Sequence, residues 1–179
     1  MAWLTVASAS LDSDGAGLAN ITFRQRIEAA GLTNAGLEKW RVTLMAGSTE
    51  GLNISKAYIG QAADSGDAYD FAGTPTQLLF GGNANILIGA GSTTISDEVL
   101  FTLTSGKNLI ISFFIANDTA HDIAKYKTTL ANWQYYFKVG DDAATVNATG
   151  YTTATNDAIA VSLIEAFEGG AQVIIWSSE

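Results

Sequence analysis

The chain has 179 residues, 47% of them hydrophobic, and its 18 acidic residues outnumber its 9 basic residues to give a net charge of -9. It contains no cysteine and one histidine, which excludes disulfides, thiolate catalysis, cysteine-ligated metals and any site that needs two imidazoles. Because an acidic protein repels phosphate backbones and anionic lipid surfaces, we expect no nucleic-acid partner and no membrane partner.

The first predicted elements are two strands with alternating side chains. In residues 20–28, Ile21, Phe23, Gln25 and Ile27 alternate with Thr22, Arg24, Arg26 and Glu28. This alternation predicts a strand with one buried and one solvated face. Residues 39–47 alternate in the same way, with Trp40, Val42 and Leu44 on the apolar side.

The middle of the chain predicts a central strand. Residues 108–117 are apolar on both faces, as in a strand that is covered on both sides. The Gly-containing turn at 105–108 predicts a hairpin between this strand and residues 98–106. Residues 121–133 are the one stretch whose pattern favours a helix, although Thr128 and Thr129 weaken it. Further strands are predicted at 54–60, 76–80, 85–88, 133–139, 158–167 and 172–176.

These short strands and frequent turn signals predict an all-β fold, a single-domain β-sandwich of the jelly-roll type over residues 1–179. The N-terminal residues 1–10 lack a positive region and a long apolar run, so they do not read as a secretory signal. We therefore expect a protein made in the cytoplasm, or an extracellular one if a signal has been removed.

Residues 78–99 contain four glycines that raise the question of a phosphate-binding loop. A phosphate loop needs a lysine after its last glycine, and a dinucleotide fingerprint needs a following helix. This stretch has neither. Gly81, Gly82, Gly89 and Gly91 are therefore interpreted as turn positions with positive φ between strands.

Asp118 and His121 form a D-x-x-H pair of the kind that orients an imidazole as general base for a serine. No Gly-Asp-Ser block supplies the nucleophile, so the pair is better explained as a polar loop. We expect the protein not to be an enzyme.

Acidic turns are candidate calcium sites, because Ca²⁺ takes several oxygen ligands from loops. The richest turn carries Asp64, Asp67 and Asp70, and shorter ones lie at 12–15, 140–142 and 156–157. None completes an EF-hand, and solvated turns are the alternative. No other cofactor is expected.

Aromatic side chains are candidates for glycan binding, since flat rings present their faces to sugars, although most aromatics in a sandwich belong to the core. If residues 133–139 form a strand, Trp133 lies on one face and Tyr136 on the other, which makes Tyr136 the better exposed candidate. Tyr136, Trp133 and Tyr69 are therefore the predicted glycan-binding residues.

A family resemblance rests on ordered blocks between residues 22 and 119. These are TFRQRIE (22–28), RVTL (41–44), LNISKAYIG (52–60), TPTQLLFGGNANILIGAGSTTISDEV (74–99) and SGKNLIISFFIANDT (105–119). In this order they resemble the β-sandwich accessory domain that precedes the catalytic domain of many SGNH (GDSL-type) hydrolases. Gly89 departs from that pattern, which usually has proline there.

The resemblance implies a jelly-roll fold and a non-catalytic role, often supposed to be carbohydrate recognition. Residues 133–176 lie outside the matched blocks, and we expect them to add strands that complete the sandwich. Two hypotheses follow. The first is a structural protein of a bacteriophage virion surface, as a head decoration or tail-associated domain, whose partners are other virion proteins or copies of itself. The second is a carbohydrate-binding accessory module of an SGNH-type esterase system. The two are compatible, because a virion surface domain can hold host polysaccharide.

Overall fold

The computed structural model describes residues 2–116 and 122–168. In these ranges the regular structure is β apart from one 3-10 turn at Ala29–Gly31, and no helix is long and apolar enough to cross a bilayer. The predicted all-β class is confirmed. In chain order the strands are β1 (Ala2–Ser8), β2 (Ser13–Asp14), β3 (Ile21–Ile27), β4 (Lys39–Met45), β5 (Leu52–Ile54), β6 (Lys56–Gln61), β7 (Thr76–Leu78), β8 (Ile86–Ile88), β9 (Thr93–Ile95), β10 (Val99–Leu100), β11 (Leu109–Ile115), β12 (Lys125–Lys127), β13 (Trp133–Val139), β14 (Thr152–Thr155), β15 (Ala158–Ile159) and β16 (Val161–Glu168).

Two antiparallel sheets pack against each other as a β-sandwich. The six-stranded sheet has the order β14-β13-β3-β11-β6-β7, and the five-stranded sheet has the order β1-β16-β4-β10 with β9 also paired to β4. Two smaller sheets, β15-β12-β2 and β5-β8, accompany them. Residues 133–168 add strands to both main sheets, as expected of the C-terminal part, whereas the predicted strand at 172–176 lies outside the described residues.

The core lies between the two main sheets. Strand β11 is buried along its whole length between β3 and β6, which confirms the predicted central strand. Strand β4 buries Trp40, Val42 and Leu44 completely and leaves the alternate positions at least partly exposed, as its alternation predicts. Removing these large apolar side chains from water is the main favourable contribution to the fold.

The prediction of a solvated face on β3 is wrong. Thr22 and Arg24, on the face away from the core, are fully buried. Two long connections, residues 62–75 and 140–151, cover this outer face. Thr22 donates from Oγ1 to the carbonyl oxygen of Gly140 at 2.6 Å, and Arg24 donates to the carbonyl oxygens of Tyr69 and Thr145. Alternation in sequence cannot show that a distant loop covers the polar side of a strand.

The predicted hairpin around 105–108 is also wrong. A turn does form there, with the Lys107 amide donating to the carbonyl oxygen of Thr104. Strand β10, however, pairs with β4 in the five-stranded sheet, while β11 pairs with β3 and β6 in the other sheet. The chain therefore crosses from one main sheet to the other at this turn.

The helix predicted at 121–133 does not form in its described part, residues 122–133. Strand β12 lies there and pairs with both β15 and β2. Thr129 and Asn132 have φ values of 60° and 68°, which interrupt any right-handed helix. Two predicted strands are interrupted. Ala160, with a φ of 57°, divides the predicted strand 158–167 into β15 and β16, and Ser55 lies between β5 and β6 in the predicted strand 54–60.

Candidate functional site

The glycine-rich stretch at 78–99 forms turns, as predicted for three of its four glycines. Gly81, Gly82 and Gly91 have φ values of 57°, 81° and 69°, whereas Gly89 does not have positive φ, so the prediction is wrong there. The amides of Gly81 and Gly82 donate to the two carboxylate oxygens of Asp97 at 2.9 and 2.7 Å. Both turn amides thus have a partner within the protein, which supports the turn interpretation.

The acidic turn predicted as a calcium site uses its carboxylates within the protein. Asp64 pairs with Lys107 at 2.8 Å, Asp67 accepts the Tyr69 hydroxyl at 2.8 Å, and buried Asp70 accepts the amides of Asp67 and Ala148. Within residues 2–116 and 122–168, no group of three or more acidic or histidine side chains is arranged to hold a metal ion. Calcium binding stays a prediction without support from this geometry, and Asp118 and His121 lie outside the described residues.

The three predicted glycan-binding aromatics do not form one surface. Tyr136 is 3% exposed, so the expectation that it is the exposed member is wrong, and its hydroxyl donates to Gln134 Oε1 at 2.7 Å. Trp133 is also 3% exposed and belongs to the core. Only Tyr69 is partly exposed, and its ring lies 5.3 Å from that of Tyr136.

Tyr69, Tyr136 and Tyr151 form what we call the outer tyrosine cluster, next to buried Arg24. The Tyr69 and Tyr151 rings are 4.8 Å apart, and the Arg24 guanidinium lies over Tyr151 and Phe71, 5.2 and 4.6 Å from their centroids. Burial lowers the pKa of Arg24 and raises the pKa of Tyr151 to about 12. Through these contacts the cluster packs the loops 62–75 and 140–151 against the sheet, and glycan binding by Tyr69 stays a prediction.

A different group of aromatics surrounds an open pocket of about 310 Å³, here called the aromatic pocket. It lies between the core-facing side of β3 and β13 and the small sheet β15-β12-β2, and it opens to solvent. Its lining comprises Asp14, Gly15, Ala16, Leu18, Ile21, Phe23, Ala124, Tyr126, Tyr135, Phe137 and Ile159.

Strand register brings the pocket rings together. Phe23 and Phe137 are direct cross-strand partners, and Tyr135 lies two residues before Phe137 on the same face. The three ring centroids are 5.9 to 6.1 Å apart. Tyr126 reaches the pocket from β12, which pairs with Ser13 on one side and Ile159 on the other. The pocket wall is therefore built by both the main sheet and the small sheet.

Polar groups lie at defined points of this wall. The Asp14 carboxylate accepts the Ser48 amide at 2.9 Å and pairs with Lys125 at 2.8 Å. The hydrogen bond from Lys125, followed by that from the Ser48 amide, holds the pKa of Asp14 below its usual value. Burial, and then the negative charge of Asp157, raises the pKa of Tyr135. The pocket thus keeps an ionised carboxylate and a neutral phenol at neutral pH.

The sequence did not predict this pocket. Tyr135 and Phe137 alternate with Tyr136 and read as ordinary core positions, and Tyr126 falls in the stretch predicted as a helix. The available signal was the run of three aromatic residues at 135–137. Successive residues of a strand point to opposite faces, so each face of this strand must accommodate at least one large ring. Which of those rings stays partly exposed depends on how far the small sheet covers β13.

The chemistry of the aromatic pocket suits binding. Ligand sites are concave, mainly apolar and carry a few placed polar groups, in cavities of roughly 300–1,000 Å³. Aromatic faces stack on the C–H surfaces of a sugar ring, while Asp14 and the two phenols can hydrogen-bond to hydroxyls. Among the described residues that line the pocket there is no serine, threonine, lysine or histidine, the side chains that commonly act as nucleophile or base in acyl transfer. No protein-family model and no curated protein matches this chain.

Proposed function

We propose that this protein is a non-enzymatic structural and binding protein that takes up a sugar ring of a glycan in the aromatic pocket. The observation that carries the proposal is the arrangement of Phe23, Tyr126, Tyr135 and Phe137 around an open pocket with one carboxylate in its wall. Because the pocket is open to solvent, a sugar ring can enter it while the rest of a polysaccharide stays in solvent.

The setting we propose is the surface of a bacteriophage virion, as a head decoration or tail-associated domain. A cysteine-free, acidic β-sandwich suits a protein present in many copies on a large assembly, where its partners are other virion proteins or copies of itself. Glycan binding fits this setting, because a virion meets host polysaccharide before it meets the host membrane. Mass spectrometry of purified particles tests the setting: the chain should be present in many copies per particle.

The alternative is a carbohydrate-binding accessory module of an SGNH-type esterase system. It is favoured by the ordered blocks between residues 22 and 119, and by a contact within the block at 74–99, where the amides of Gly81 and Gly82 donate to the Asp97 carboxylate. Both settings share glycan binding, and the neighbouring genes separate them. Virion structural genes next to this one favour the first, and polysaccharide-degrading enzymes favour the second.

Glycan binding is tested by array screening of the full chain, followed by calorimetry with the best ligand. Tyr135→Ala should weaken binding about tenfold or more, because losing a stacking ring costs on the order of 1 kcal/mol or more. Tyr58→Ala is the matched control, since Tyr58 is a partly buried tyrosine of β6 on the outer face of the same sheet. The proposal fails if no glycan binds, or if the two variants bind equally well.

A further inference from the structure

The charge of the aromatic pocket indicates which glycans it accepts. Within the described part of the chain, Asp14 is the only charged residue among those that line the pocket. Lys125, its ion-pair partner, is only 12% exposed and is not a lining residue. A ligand in the pocket therefore meets the Asp14 carboxylate, while the Lys125 ammonium that pairs with it at 2.8 Å is largely covered and is not among the described lining residues.

Asp157 adds a second negative charge close to the same wall. It directly precedes β15, whose Ile159 lines the pocket, and its backbone carbonyl oxygen accepts from Gln25 Nε2 at 3.2 Å. Gln25 is the direct cross-strand partner of Tyr135, so this hydrogen bond places residue 157 beside the strand positions that carry the pocket rings. In the ranges that the structure describes, Asp157 forms no ion pair with a lysine or arginine.

The rings of the pocket reinforce this preference. Tyr126, Tyr135 and Phe137 are partly exposed, and the face of an aromatic ring carries the negative side of its quadrupole, which attracts cations. Phe23 is buried and stacks on Phe113 behind them. The net charge of -9 also raises the local concentration of cationic ligands and lowers that of anionic ones. Rings, carboxylates and overall field all favour the same sign of ligand charge.

We propose that the aromatic pocket selects glycans that carry free ammonium groups, that is, amino sugars with an unsubstituted amine, over neutral and acidic sugars. The sugar ring stacks on Tyr135 and Tyr126, and the ammonium group lies toward Asp14 and Asp157. N-acetylation removes the charge and with it the preference. This inference rests on the proposed glycan-binding function and specifies its ligand class.

The test compares three hexasaccharides by calorimetry with the full chain: β-1,4-linked glucosamine, N-acetylglucosamine and glucose. At a pH where the amines are protonated, we expect the glucosamine hexamer to bind at least about tenfold more tightly than the other two. Asp157→Asn should reduce this ratio to about threefold or less, because it removes a charge and leaves the backbone contact of residue 157 in place. Asp64→Asn, the same substitution in a turn that does not line the pocket, should leave the ratio unchanged.

A second measurement does not depend on the folding of the variants. With the unaltered protein, raising sodium chloride from 50 to about 300 mM should weaken glucosamine binding and leave any binding of the glucose hexamer unchanged, since salt screens only the charged contact.

Equal affinity for the three hexamers overturns the charge selection and leaves glycan binding intact. Binding of none of them or of any arrayed glycan overturns both, and glucosamine binding that survives Tyr135→Ala shows non-specific attraction and overturns the inference.

Discussion

At the scale of single residues, Arg24 determines how the outer face of the six-stranded sheet is covered. Its guanidinium donates to three backbone carbonyls, those of Tyr69, Asp142 and Thr145, which lie on two different loops. A buried arginine is costly to desolvate, and here the cost is offset by these hydrogen bonds and by the two rings that flank it. The several N–H donors of the guanidinium, rather than its charge alone, hold the two loops against the sheet.

Arg24→Lys should therefore lower the free energy of unfolding by about 2–4 kcal/mol, because one ammonium cannot reach three carbonyls on two loops and leaves buried acceptors unsatisfied. Urea denaturation measures the change. Arg41→Lys is the matched control: Arg41 is a partly exposed arginine paired with Glu165 at 2.8 Å, and its loss should cost under about 1 kcal/mol. Equal losses at the two positions would contradict the assigned role of Arg24.

Tyr151 makes stability depend on alkaline pH. Its pKa is raised by burial from the ordinary value of 10.0 to about 12 in the folded protein. The folded state therefore holds the phenolic proton more tightly than the unfolded state, so this contribution is fully present below pH 10 and is lost as the pH rises towards 12.

The free energy of unfolding of the wild type should accordingly fall between pH 10 and about 12, and that of Tyr151→Phe should fall less steeply. Denaturant midpoints measured across this pH range provide the comparison. The near-ultraviolet absorbance of tyrosine phenolate, followed in both proteins, is a second readout. Parallel curves for the two proteins would show that Tyr151 ionises normally in the folded state.

At the scale of elements, a close approach between β6 and the loop 62–75 requires glycine. A Cβ atom on Gly60 would lie 2.5 Å from Cδ1 of Phe71 and 3.3 Å from Cβ of Pro75. The ring of Phe71 therefore packs directly on the backbone of β6, and from there it contacts the Arg24 guanidinium. Strand and loop depend on each other through this contact.

Gly60→Ala should displace Phe71 and destabilise the protein by about 1–3 kcal/mol, the range typical of overpacking. Gly73→Ala, in the same loop where an added Cβ meets nothing within 4 Å, should be nearly neutral. Thermal unfolding of both variants checks the difference. A Gly60→Ala protein as stable as Gly73→Ala would mean that the ring moves aside at no cost.

Elements were predictable where local pattern decides them. Residues 133–139 form the strand expected, and β11 and β4 have the burial expected of a central and an alternating strand. The predictions of a hairpin at 105–108 and of a helix at 121–133 were wrong, because these segments pair with strands that lie far away in sequence. The exposure of Tyr136 failed for the same reason, since the loop carrying Tyr69 covers it.

At the scale of the whole molecule, the first and the last described strands pair with each other in the five-stranded sheet. Strand β1 pairs with β16 from Ala2 opposite Glu168 to Ser8 opposite Leu163, and β16 in turn pairs with β4. Val6 and Ala7 of β1 are buried in the main core. The sheet therefore cannot be complete until nearly the whole chain is available.

Deleting residues 1–8 should abolish cooperative unfolding, because it opens the edge of β16 and uncovers the core beneath Val6. Near-ultraviolet circular dichroism and a denaturant titration measure this effect. Trp3→Ala is the control, since it keeps the strand and removes one partly exposed ring that packs on Phe167. A truncated protein with the midpoint of the full chain would show that β1 is dispensable.

The sequence by itself determined the β class of this protein, its central strand and the turn role of Gly81, Gly82 and Gly91, because side-chain alternation and backbone freedom are local properties. Only the tertiary structure decided which strands pair, that Arg24 and Tyr136 are covered, and that Phe23, Tyr126, Tyr135 and Phe137 surround an open pocket. These features arise where segments about 45 to more than a hundred residues apart meet, and a single sequence does not show which distant segments meet.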